Sequence, residues 1–95
     1  MKNIHPGKVL LEDFLRPLGI SQYRLAIACA VPHSRITDII KGRRGISADT
    51  ALRLARALGT SADLWLGLQR DFDVEEASLL NAKSYQAIPL LAHAA

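Results

Sequence analysis

This chain has little of what catalytic, secreted or membrane-bound chains usually need. It holds one cysteine, Cys29, in 95 residues. An internal disulfide is therefore excluded, in keeping with a reducing, cytoplasmic setting. No apolar run approaches the roughly 18–20 residues of a membrane span. The opening Met1-Lys2-Asn3-Ile4-His5-Pro6-Gly7 has no apolar stretch of the kind a secretory signal carries. His5, His33 and His93 lack metal-ligand spacing and have no cysteine cluster to join them, so neither a metal nor a cofactor is expected. There is no glycine-rich phosphate loop, no Ser/His/Asp set and no paired carboxylates placed for a cleft. An enzyme is not expected.

What is present is apolar substance and unevenly placed charge. Apolar residues make up 49% of the chain, which argues against general disorder. The length suits one domain with a real core but no large substrate cavity. Net charge is +3. Between Ser21 and Arg56, seven basic residues (Arg24, Arg35, Lys41, Arg43, Arg44, Arg53 and Arg56) meet only Asp38 and Asp49. Between Asp63 and Glu76, five acids meet only Arg70. The central segment suits a polyanion and the later one does not. A solvated charged face would show the same composition, so the charge gains meaning only beside the helix pattern.

That pattern predicts an all-α bundle of five short helices. Pro6 can open the first, since its missing N–H costs nothing at a first helical position. Leu11, Phe14, Leu15 and Leu18 then recur on one face, and Pro17 and Gly19 close it. Ser21 caps a second helix whose inner face is Leu25, Ala26 and Cys29. A third begins near Pro32 with Ile36, Ile39 and Ile40 apolar, and Gly42 is placed to end it at positive φ. Ser47 caps a fourth, with Asp49 in its first turn and Ala51, Leu54, Ala55 and Leu58 as its stripe. Ser61 caps a fifth, where Leu64, Trp65, Leu68 and Phe72 form a broad apolar face. These four residues are also the candidates for contact with a second copy, with Trp65 read as either core or part of that contact. The expected division is a helical domain over residues 1–76 and a tail over 77–95. Pro89 interrupts any helix in that tail, which is read as a helix with a loose end, an arm packing on a partner, or a disordered segment.

The second and third helices with their short turn have the form of a helix-turn-helix. Such a turn sets two helices at roughly 90–120° and leaves the second projecting. Its N-terminal half reaches base edges in a DNA major groove. His33, Ser34, Arg35, Thr37 and Asp38 are the candidate base readers. His33 can donate to or accept from a purine edge, and Ser34 and Thr37 can bond either way. The Thr37 methyl suits a thymine methyl. Asp38 can accept from a cytosine amino group or orient Arg35, and Arg35 suits either a guanine or a phosphate. Ser21, Gln22 and Tyr23 begin the second helix, whose N-terminus attracts phosphate. Lys41, Arg43 and Arg44 would hold the DNA backbone and give affinity rather than specificity. Cys29 is expected in the core.

Residues Ser21 to Arg44 resemble the helix-turn-helix of the lambda-repressor-like (Xre) group. Further stretches extend the likeness: His5-Pro6-Gly7, Gly42-Arg43-Arg44-Gly45-Ile46-Ser47-Ala48-Asp49-Thr50-Ala51-Leu52-Arg53-Leu54-Ala55, Gly59-Thr60-Ser61 and Trp65-Leu66-Gly67-Leu68-Gln69. Together, over about residues 4 to 75, they resemble the HigA antitoxins of bacterial toxin–antitoxin modules. The resemblance implies a homodimer that binds and represses its own operator on double-stranded DNA, and a HigB-type ribonuclease toxin as partner. A regulator without a toxin, or an interaction module that has lost DNA binding, are the alternatives. The chain departs from the family at Ala30, where glycine is usual. A left-handed turn there costs alanine about 1 kcal/mol relative to glycine.

Overall fold

The computed structural model describes residues 3–92. Every regular element among them is a helix. We number them α1 (residues 6–18), α2 (Gln22–Cys29), α3 (His33–Ile40), α4 (Ala48–Leu58), α5 (Ala62–Leu80) and α6 (Ala82–Gln86). The all-α architecture is as expected, with six helices in place of five.

Helix α1 departs most from its simple reading. It starts as an α-helix over Pro6–Val9, widens to a π-helix over Leu10–Leu15 and ends as Arg16–Leu18. The Arg16 N–H donates five residues back, to the Leu11 carbonyl. Pro17 has no N–H, and its ring presses on the carbonyl four residues earlier. A widened turn upstream gives it room. The extra residue rotates the face. Leu10 and Leu15, five apart, are fully buried, Leu11 and Phe14 are half-buried, and Leu18 is 58% exposed. The expected stripe is thus corrected: Leu10 joins it and Leu18 leaves it.

Helices α2 to α5 begin at their predicted starts. The hydroxyls of Ser21, Ser47 and Ser61 accept backbone N–H groups of Arg24, Thr50 and Leu64 at 3.0, 3.3 and 3.1 Å. Gly59 ends α4 at φ 71°. Helix α5 continues through residue 76 to Leu80. No glycine or proline interrupts residues 68–80, which are rich in helix-favouring Glu, Ala and Leu.

The core surrounds Trp65, which is 0% exposed and packs with Leu10, Leu15, Leu25, Ile36, Ile39 and Leu54. The Phe14 ring lies 5.0 Å from it. The indole N–H donates to the Thr60 hydroxyl at 2.8 Å, so its burial leaves no polar atom unpaired. Each such aliphatic residue contributes about 1.5–3 kcal/mol on burial. Ile36 and Ile39 therefore fix α3 far more firmly than any surface ion pair would.

Candidate nucleic-acid interface

The turn between α2 and α3 is built on Ala30, at φ 55° and ψ 47°. It is the only non-glycine residue at positive φ among the described residues. The Val31 N–H returns to the Ala26 carbonyl at 3.1 Å, closing the end of α2. Pro32 then starts α3 without a side-chain cap. With Ile36 and Ile39 turned into the core, the opposite side of α3 faces solvent. His33 and Ser34 are exposed there, while Thr37 and Asp38 are half-buried.

Two contacts join this face to the start of α2. The Thr37 hydroxyl donates to Gln22 Oε1 at 3.2 Å. The rings of Tyr23 and His33 meet edge-on with centroids 5.8 Å apart. Gln22, Tyr23, His33 and Thr37, predicted separately as phosphate and base contacts, thus form one continuous surface. Ser21 is exposed beside them, with its oxygen already accepting the Arg24 N–H.

Beyond α3 the chain folds back on itself. The N–H groups of Arg43 and Arg44 donate to the Asp38 carbonyl at 2.8 and 3.3 Å, and Gly42 takes φ 75°. Lys41, Arg43 and Arg44 are all exposed. The loop is pinned from below. Ile46 is buried, and its N–H donates to Gln69 Oε1 of α5 at 2.7 Å. Sequence reasoning quoted Gln69 within a motif but gave it no role. Gly7 was likewise missed as a contact. A methyl on it would meet the Ile39 carbonyl and lie 2.9 Å from Ile40 Cα, so α1 crosses the end of α3 backbone to backbone.

Arg35 lies elsewhere. On a helix of 3.6 residues per turn it stands about 100° round from Ser34, towards α4. Its side chain is 28% exposed, and Nη1 is 3.1 Å from Asp49 Oδ2. The same oxygen accepts from Arg53 Nε at 2.9 Å, and Arg53 Nη1 donates to the Cys29 carbonyl at 2.8 Å. The partner of Arg35 is therefore Asp49 and not Asp38. The hydrogen bond from Arg53 holds the Asp49 carboxyl below its ordinary pKa against slight desolvation, and the Arg53 and Arg35 charges add to it. Cys29 is buried as expected, and that burial pushes its thiol pKa up against the pull of Arg53.

On α5 the four candidates for contact with a second copy separate. Trp65 is fully buried and offers no surface, a correction to its place in that set. Phe72 is half-buried against the His5 ring, centroids 4.9 Å apart, and its carbonyl accepts from Asn3 at 2.9 Å. Leu68 is half-buried and Leu64 partly exposed. The larger exposed apolar groups come later: Val74, Leu79, Leu80, Tyr85, Ile88, Leu90 and Leu91. No described cluster of His, Cys, Asp or Glu could hold a metal, and His93 lies outside the described residues. No described helix is long and apolar enough to cross a membrane.

A projecting second helix, a polar face braced by α2 and a basic loop pinned behind it define a helix-turn-helix domain of the lambda-repressor-like type. The chain belongs to the helix-turn-helix family, whose profile matches residues 11–65, and within it stands beside the HigA antitoxins. Virulence-associated protein I of Dichelobacter nodosus is 48% identical over 77 residues, covering 81% of this chain and 71% of that protein. Antitoxin HigA-1 of Vibrio cholerae is 35% identical over 68 residues, covering 72% and 64%. The structure of Pseudomonas aeruginosa antitoxin HigA with the higBA promoter superposes with a TM-score of 0.90 at 39% identity, covering 96% of this chain and 100% of that one.

Proposed function

We propose that this protein is a DNA-binding antitoxin, a homodimer that represses its own operon and neutralises a HigB-type ribonuclease toxin in the cytoplasm. The observation that carries the reading is the likeness to an antitoxin solved with its promoter over 96% of this chain, joined to a polar, solvent-facing side of α3. Residues 1–76 carry the DNA-binding unit, and the described residues from 77 to 92 form an arm that packs on the second copy. His33, Ser34, Thr37 and Asp38 read base edges from the exposed side of α3. Ser21, Gln22, Tyr23, Lys41, Arg43 and Arg44 hold phosphates on either flank. Arg35 serves at the rim, beside α4. Leu64, Leu68 and Phe72 lie along the helix that leads into the arm.

The test is a salt titration of binding to DNA from upstream of the chain's own gene, with scrambled DNA as control. A preference for the native sequence that weakens with salt supports the operator reading. Equal binding to both DNAs, or none, overturns it. Arg43→Ala should weaken binding to both DNAs and flatten the salt slope by about 0.9, the value of one phosphate contact.

A further inference from the structure

Asp49 sits in the first turn of α4, and its carboxylate reaches Arg35 of α3. An acid at a helix start is ordinarily explained by the helix dipole. Here Ser47 already supplies the cap, and one carboxylate oxygen bridges two guanidinium groups on two helices. Arg53 is also held by the Cys29 carbonyl, so it is fixed within the fold. Arg35 is held by Asp49, and the Asp49 side chain keeps 58% of its exposure. A carboxylate placed so openly on this rim repels an arriving phosphate and competes with it for Arg35.

The geometry points to Asp49 as a specificity-determining positioning residue, which keeps Arg35 from acting as an unselective phosphate hook. On the operator, base contacts fix the register, and Arg35 gains only what that single register offers. On random DNA the protein occupies many registers, and a released guanidinium finds a phosphate in most of them. Releasing Arg35 therefore favours random DNA over the operator.

The inference rests on the DNA-binding reading above. The experiment titrates wild type, Asp49→Asn and Asp49→Glu with operator and scrambled DNA across a salt series, with a thermal melt of each. We expect Asp49→Asn to bind scrambled DNA on the order of threefold more tightly, the scale of one exposed charge. Its salt slope on that DNA should steepen by about 0.9, with a smaller change on the operator. Asp49→Glu should restore discrimination, and adding Arg35→Gln to Asp49→Asn should abolish the gain. Equal shifts on both DNAs, an unchanged slope, or a gain that survives Arg35→Gln overturns the inference. So does a melt lost in Asp49→Asn and kept in Asp49→Glu, which makes the role structural. A wild type with no operator preference overturns the DNA-binding reading instead.

Discussion

Two single residues show how local chemistry sets stability here. Ala30 holds the left-handed conformation that lets α3 project, and alanine is worse there than glycine by about 1 kcal/mol. Ala30→Gly should raise the urea unfolding free energy by up to about 1 kcal/mol, partly offset by added freedom in the unfolded chain. Operator affinity should not change, because the turn geometry is kept. His5 is the second case. Its Nδ1 accepts the Gly7 N–H at 2.9 Å and caps α1, a role that protonation would end. Burial lowers its pKa below the ordinary 6.5, with the Asp73 carboxylate pulling the other way. The unfolded chain therefore takes up this proton first. The contribution is complete above the ordinary histidine pKa and is lost as pH falls below it. Between pH 7.5 and 5.5 the wild-type Tm should fall more steeply than that of His5→Asn, whose amide caps without titrating. Parallel slopes in calorimetric melts would remove His5 from the acid sensitivity.

At the scale of elements, the sequence was readable wherever one helix could be judged from its own residues. Caps at Ser21, Ser47 and Ser61, the glycine stop at Gly59 and the buried isoleucines of α3 all follow from local rules. What escaped depends on a neighbour. The face of α1 turned because Pro17 forces a wide turn, and a 3.6-residue period cannot register that. Trp65 read as surplus apolar area because nothing on α5 tells that Leu10, Leu25 and Ile36 converge on it. The pairing of Arg35 with Asp49 was invisible because the acid lies 14 residues away on another helix. Gly7 was silent for the same reason, since its role is to admit the backbone of α3. That role is testable. Gly7→Ala places a methyl against the Ile39 carbonyl, and backbone must move to accept it. The variant should lose roughly 1–3 kcal/mol of stability, the usual cost of overpacking. Its operator affinity should drop even at temperatures where it is folded, because the displaced element is the recognition helix. Thermal melts paired with DNA titration separate the two effects.

The molecule as a whole measures 50 × 27 × 22 Å, elongated because α5 and α6 carry the chain beyond the core. Basic residues crowd the helix-turn-helix, and acids line α5. Scattered apolar residues on a surface are ordinary, but a succession from Val74 through Leu79, Leu80 and Tyr85 to Leu91 along one segment is not. A second copy packed on that segment would cover it. To read two half-sites one turn of DNA apart, such a pair must hold its recognition helices about 34 Å apart. Leu79→Ser together with Leu80→Ser tests this without confounding charge, since neither residue belongs to the core and serine leaves the arm's charge unchanged. If the arm joins the copies, the double variant should scatter light as a monomer at micromolar concentration while its Tm stays close to that of a core-intact chain. Its operator affinity should fall by an order of magnitude or more, because a lone copy engages one half-site, and its binding to scrambled DNA should fall much less. A variant that keeps the dimeric mass and full operator affinity would return the contact between copies to Leu64 and Leu68, nearer the core.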